Sequence, residues 1–266
     1  MFNKESYQTV PLRQISTVLI VQDEEDRIAS AIRSCLSFSD EIVLVDGGSQ
    51  DSTAQIAAEF GCCVYHHEWS GYAAQRNFGA EQAKHHWIFF IDADEVVDEQ
   101  LEKALMHWKD QPNLEANAFS VQRIGNFWDI WFDSCPEQRV RLYNKTVFQM
   151  TDVLVHEVPN VGNERVIPLP GVVWHHGFRS IQDLVNRFNR YTDLDAQQAY
   201  LTNVRFSWVR LLLKPPAKFM QQYFWHKLYQ KGTAGFASAA LWSYYIFLKE
   251  IKLYEIEYLS QQKKKS

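Results

Sequence analysis

The stretch Glu41–His67, EIVLVDGGSQDSTAQIAAEFGCCVYHH, decides the fold. It opens with an apolar run ending in Asp46, turns through Gly-Gly-Ser, and enters a helical pattern that lasts through Phe60. Asp51 stands where an N-cap would accept backbone N–H groups of that helix. A second apolar run, CCVYHH, follows. Strand, helix and strand in this succession make a βαβ unit, and such units assemble into a parallel sheet covered on both faces.

The flanks repeat the pattern. ISTVLIV (Ile15–Val21) reads as a buried strand, followed by a helix of about a dozen residues through Leu36. Tyr72–Lys84 reads as a helix and WIFFID (Trp87–Asp92) as a fourth strand. A helix from Asp98 to about Trp108 and a strand through AFSVQRIGNFW come next. From Asp129 to Trp174 short strands alternate with Pro and Gly turns, which suggests a mixed or antiparallel extension. A helix over Ser180–Thr202 carries Ile181, Leu184, Val185, Phe188 and Tyr191 on one stripe. The fold class is therefore α/β, with a helical C-terminal extension.

Open sheets of this kind bind ligands at the carboxyl ends of their strands. That rule sets Asp46 and Asp92 toward one crevice. In WIFFIDADEVVD the strand runs into Asp92, Asp94 and Glu95, and two explanations stand side by side. Acids in the first turn of a helix stabilise it by roughly a few tenths of a kcal/mol. Alternatively, the carboxylates hold a divalent cation. Mg²⁺ and Mn²⁺ prefer oxygen ligands, and Mg²⁺ takes only one or two carboxylates when phosphates fill other positions.

The chain has 266 residues, enough for one sizeable core or a core with an appendage. Apolar residues at 46% and charged residues at 22% exclude a disordered chain. The net charge of −5 hides an asymmetry: Leu201–Ser266 holds 11 of the 27 basic residues and 3 of the 32 acidic ones, giving that end +8. Residues 1–200 keep 16 basic and 29 acidic, or −13, so the basic end suits an anionic partner. Cys35, Cys62, Cys63 and Cys135 show no zinc spacing and read as thiols in a reducing compartment. MFNKESYQTVPLRQ lacks the apolar core of a signal peptide, and GFASAALWSYYIFL is too short and interrupted to span a bilayer, so a cytoplasmic location is expected.

Taken together and in register, STVLIVQDEEDRIASAIRS, EIVLVDGGSQDSTAQIAAEFG, GYAAQRNFGAEQA and WIFFIDADEVVDEQL resemble the family 2 glycosyltransferases. RLYNK, VHE and WHHGFRSIQDLVNRFNRYT are similar to the bacterial branch that includes lipopolysaccharide core glucosyltransferases. The resemblance covers residues 15 to 200 most strongly. It implies a glycosyltransferase A-type fold over residues 1–179, with a nucleotide-binding part at 15–110 and an acceptor part at 111–179, and residues 180–266 as the extension.

It further implies an inverting transfer of a hexose, glucose foremost, from a UDP-linked sugar to a glycolipid or lipopolysaccharide-type saccharide. By the same resemblance Glu24, Asp46, Arg76 and Asp92 bind the nucleotide-sugar. Asp94, Asp92 and His175 serve the metal, Mn²⁺ or Mg²⁺. The chain departs from the family at Gln22, Asp23 and Gly47, and at His176, where relatives carry Tyr. Two acids compete for the general base that takes the acceptor's proton: Glu157 in VHE, which is favoured, and Glu137 in CPEQRVRL. A polyprenyl-phosphate acceptor and a non-catalytic nucleotide-sugar-binding scaffold are the alternatives.

Single residues also have plainer readings. Asp46 suits a turn cap over Gly-Gly-Ser, Arg76 a helix surface, and Asp98 and Glu99 the positive end of the next helix. In RFSWVRLLLKPPAKFMQQYFWHKLYQK, Arg205, Arg210, Lys214, Lys218 and Lys227 interleave with Trp208, Phe219, Tyr223, Phe224 and Trp225. That mixture suits an anionic membrane surface at the inner face of the cell membrane, or a helical lid with solvated charges. No nucleic-acid-binding fold is apparent.

Overall fold

The computed structural model describes residues 13–111, 116–151 and 158–263. Its strands are β1 (Ile15–Val21), β2 (Glu41–Asp46), β3 (Cys63–His66), β4 (Trp87–Phe90), β5 (Glu95–Val97), β6 (Ala118–Phe127), β7 (Ile130–Trp131), β8 (Glu137–Asn144) and β9 (Val166–His175). Its helices are α1 (Ile28–Arg33), α2 (Thr53–Glu59), α3 (Tyr72–Gln82), α4 (Glu99–Lys109), α5 (Ile181–Leu201), α6 (Trp208–Met220) and α7 (Gly232–Lys263). The strands form one sheet in the order β3-β2-β1-β4-β8-β6-β9-β5, with β7 on β6. β3, β2, β1 and β4 run parallel, as the βαβ pattern requires, and β8 joins β4 antiparallel with Ile88 opposite Tyr143.

The chain divides into two compact units. One comprises the segments up to Arg123, Gln138–Thr151 and Val158–Trp174; the other comprises Ile124–Glu137 and the segment from His175 onward.

In the first unit β1 and β2 are buried almost throughout, the expected state of parallel strands with helices on both faces. The polar exceptions are paired: Ser16 Oγ donates to Glu41 Oε2 at 2.7 Å, and the Lys84 N–H donates to the same oxygen at 2.8 Å. Burial pushes the Glu41 carboxyl up, but these donors outweigh it and hold it below its usual range. Helix α3 lies close on the sheet because Gly79 faces it. A Cβ there would stand 2.5 Å from Val18 Cγ1 and 2.9 Å from Val45 Cγ2. Gly171, at φ +97°, lets β9 pass against the first turn of α4, where a Cβ would collide with the Leu101 backbone.

Two local expectations are corrected. Helix α1 has six residues, not about a dozen, because the residues before it bond elsewhere. Gln50 N–H donates to Asp23 Oδ1 at 2.7 Å, Ser52 N–H to Glu25 Oε2 at 3.0 Å, and Glu24 N–H to Thr53 Oγ1 at 2.8 Å. These bonds tie the loop after β1 to the loop after β2. Strand β4 also ends at Phe90, not Asp92, and Glu95–Val97 is itself a strand at the far edge of the sheet. The acids Asp92, Asp94 and Glu95 therefore do not start a helix. That task falls to Asp98, whose side chain accepts from Leu101 N–H at 2.7 Å, with Glu99 in the first turn.

The second unit is largely helical. Ser180 caps α5 by accepting from Asp183 N–H at 3.0 Å. Leu184 and Phe188 on the expected stripe pack with Phe127, Ala234 and Tyr245 into one core. Tyr245 donates to Asp195 Oδ2 at 2.7 Å. Helix α6 is fixed to α7 by Arg210, whose Nε lies 3.1 Å from both Glu250 carboxylate oxygens, and by Ser243 Oγ donating to the Pro215 carbonyl at 2.7 Å. Among the described residues no helix is long and apolar enough to cross a membrane.

Candidate active site

The site is built where β1, β2 and β4 end. Asp46 is the last residue of β2 and is buried. Its carboxylate accepts from Ser49 N–H at 3.1 Å and Ser49 Oγ at 2.5 Å, with His66 Nδ1 at 3.4 Å. The turn-cap reading of Asp46 is thus realised, and it fixes the carboxylate at the strand end. Gly48, at φ +100°, completes the turn. Trp69, partly exposed, lies so close to Gly47 that a Cβ there would be 3.0 Å from its ring. Glu24 is half-buried in the loop tied to Thr53.

On the other side of β1, Asp92 and Asp94 follow β4. Arg76 reaches over from α3 and donates from Nη2 to Asp92 Oδ1 at 2.7 Å, so it is not a mere helix-surface group. Its guanidinium also stands 5.4 Å from the centre of the Phe90 ring. Arg141 of β8 lies 3.9 Å from the other Asp92 oxygen. Burial pushes the Asp92 carboxyl up, but Arg76 and Arg141 outweigh it and hold it below its usual range. Asp94 is buried, with Arg27 Nη1 3.8 Å from its Oδ2.

Behind these acids is a set of charges that reading the sequence left out of the site. Glu95 is fully buried. It accepts from Arg123 Nε at 2.7 Å and Arg141 Nη2 at 2.5 Å, and its Oε2 accepts from the Asp92 N–H at 3.0 Å. Glu95 thus braces both the Asp92 backbone and the arginine that faces the Asp92 side chain. A signal was present in the sequence: Arg141 directly precedes the apolar pair Leu142–Tyr143, and a charge buried beside such residues is paired almost without exception.

Among the described residues no three His, Cys, Asp or Glu side chains are grouped to hold a metal. The arrangement does fit a hard cation that draws most of its ligands from phosphate and water, since such an ion needs only one or two carboxylates. Asp94 would be the first of these and Asp92 the second. His175 ends β9 in the second unit, where its carbonyl accepts from Gly177 N–H at 3.0 Å. Glu137 begins β8, exposed, with Lys218 and Cys135 close enough to feel its charge. Glu157 lies outside the described residues. All four cysteines are free thiols.

The sequence profile of glycosyl transferase family 2 matches residues 16–160, which contain every strand-end acid just described. The chain belongs to that family. This family 2 glycosyltransferase is 29% identical to the lipopolysaccharide core biosynthesis glycosyltransferase LpsC of Rhizobium meliloti, over 92% of this chain and 94% of that one. It is 28% identical to an uncharacterized glycosyltransferase of Rickettsia typhi, over 94% of this chain and 90% of that protein. A glucosyl-3-phosphoglycerate synthase of Mycobacterium tuberculosis, solved with Mn²⁺, uridine diphosphate and glucosyl-3-phosphoglycerate, covers 42% of this chain and 44% of its own at 22% identity. Its TM-score of 0.37 is too slight a likeness to bear on mechanism. The family 2 glycosyltransferase is thus a transferase on an α/β, A-type fold.

Proposed function

We propose that this transferase moves a hexose, glucose, from a UDP-linked donor to a lipopolysaccharide-type or other lipid-linked saccharide at the inner face of the cell membrane, with inversion at the anomeric carbon. The observation that carries the reading is the placement of Asp46 and of Asp92 with Asp94 at the carboxyl ends of parallel strands on either side of β1, with Arg76 reaching Asp92. The likeness to LpsC along nearly the whole chain supports the acceptor class.

In this reading Asp46 accepts from the base of the nucleotide, Trp69 offers it a ring, and Glu24 and Arg76 line its sugar and phosphates. Asp94, with Asp92 beside it, would hold Mn²⁺ or Mg²⁺. When bound, the cation neutralises charge on the departing nucleoside diphosphate. The acceptor, received by residues 111–179, presents its hydroxyl to the anomeric carbon. Glu157 takes the hydroxyl proton as the bond to the diphosphate breaks, and Glu137 is the competing base. Positioning and electrostatic help supply most of the rate.

The decisive experiment is calorimetric titration of UDP, with and without Mn²⁺, into wild type and Asp94→Ala. Binding that needs the metal and disappears in the variant is expected. Binding indifferent to both metal and Asp94, or no binding, overturns the reading. Turnover of UDP-glucose with a lipid extract separates a scaffold, which would bind and not turn over. Glu157→Gln and Glu137→Gln separate the acceptors: a polyprenyl phosphate is already an anion and tolerates the loss of either acid.

A further inference from the structure

The C-terminal unit inverts the usual distribution of apolar side chains. On α6, Trp208, Leu212, Pro216 and Met220 recur at every fourth position, and Val209 and Leu213 lie beside them. All six are exposed, Trp208 at 66% and Leu212 at 65%. The opposite side of the helix is accounted for: Leu211 and Pro215 are buried, and Arg210 is held by Glu250. Past α6, in the π-helical turn Gln221–Trp225, Trp225 reaches 83% exposure. Of the aromatics expected at an interface, Phe219 and Tyr223 turn instead to each other and to Phe236, within the unit.

We infer that this face of α6, continued by Trp225, lies in the plane of an anionic lipid bilayer at the headgroup boundary. Four observations point to lipid. The face carries no charge over three turns of helix, Lys214 and Lys218 fall on the other side of the helix, and exposed Arg205 and Lys227 stand at its ends. An apolar face with basic residues at its ends, in a segment of net +8, suits an interfacial helix on anionic lipid. Tryptophans mark both ends, where a ring that is part apolar and part polar sits at the headgroup level. Pro216 has no N–H to give the Leu212 carbonyl, an omission tolerated at the wet boundary and costly in the hydrocarbon core. A second copy fits less well, because a two-fold contact through this face would set one +8 segment against another.

The inference deepens the proposed function, since docking would bring the transferase to a lipid-linked acceptor, but its test is independent of nucleotide binding. The full chain is sedimented with vesicles of phosphatidylethanolamine and phosphatidylglycerol, and with phosphatidylcholine alone, for wild type and for Leu212→Glu combined with Leu213→Glu. Wild type should pellet with the anionic vesicles and weakly with the neutral ones. The double variant should partition at least about tenfold less. Both substituted residues already face water, so its melting temperature and its UDP titration should match wild type. No binding to anionic vesicles, or equal binding by the variant, overturns the inference. So does a dimer seen by analytical ultracentrifugation and lost in the variant without vesicle binding. UDP binding without vesicle binding removes this inference alone; vesicle binding without UDP binding removes the UDP-donor reading alone.

Discussion

Glu95 and Trp225 break the same rule in opposite directions. One is a carboxylate with no exposed surface; the other is a large apolar ring with most of its surface exposed. Around Glu95 the buried charge is answered: Arg123, Arg141 and the Asp92 N–H converge on its oxygens. Around Trp225 and the outer face of α6 the described residues offer no such compensation. A buried charge that is fully paired shapes a site from within, whereas an apolar face left in water is completed from outside the chain.

The sharpest attack on this comparison is Glu95→Ala. It strands the buried Arg141 guanidinium, so stability should fall by about 3–5 kcal/mol, read from urea denaturation. A loss under about 1 kcal/mol would show that water enters the network and that the pairing is not structural.

Arg76→Ala comes next, with an expected loss of about 1.5–3 kcal/mol at neutral pH from the charge-assisted bond to Asp92. Its pH dependence follows from the depressed Asp92 pKa. The native value lies below the unfolded value of about 3.9, so the stabilisation is complete above that pH and is lost as pH falls through the native value. Denaturation midpoints followed from pH 6 to pH 3 should therefore drop more steeply below about pH 4 in wild type than in Arg76→Ala.

Gly79→Ala tests whether close packing of α3 places Arg76. Crowding of Val18 and Val45 costs about 1–3 kcal/mol, and the better helix propensity of Ala returns up to about 1. A net loss of about 1 kcal/mol, accompanied by weaker UDP binding, is expected from melting curves and titration. The smallest effect belongs to the other region: Leu213→Ser should change stability by no more than about 0.5 kcal/mol, because its side chain already faces water. A larger loss would mean that the outer face of α6 is covered within the chain.

Much of this was legible beforehand, and the exceptions share a cause. β2, α2 and β3 fall within a residue or so of their expected bounds, because apolar runs and turn residues are local signals. Helix α5 begins after its Ser180 cap as its pattern requires. The first helix came out short because Asp23 and Glu25 accept backbone bonds from Gln50 and Ser52, a pairing across more than twenty positions. Strand β5 escaped notice because three residues carry no periodicity and its neighbour β9 lies far along the chain.

The site divides the same way. The amino-acid sequence alone determined the α/β class, the family, and the arrival of Asp46 at a strand end with Asp92 shortly past another, because these follow from spacing along one segment. Only the tertiary structure decided that Asp94 lies in the turn before β5 and Glu95 in that strand, not in a helix, and that Arg76, Arg123 and Arg141 enclose the acids. It also decided which side of α6 is left to solvent. Those outcomes depend on which distant elements pack together, and ion pairing and burial are properties of that packing, which no local pattern records.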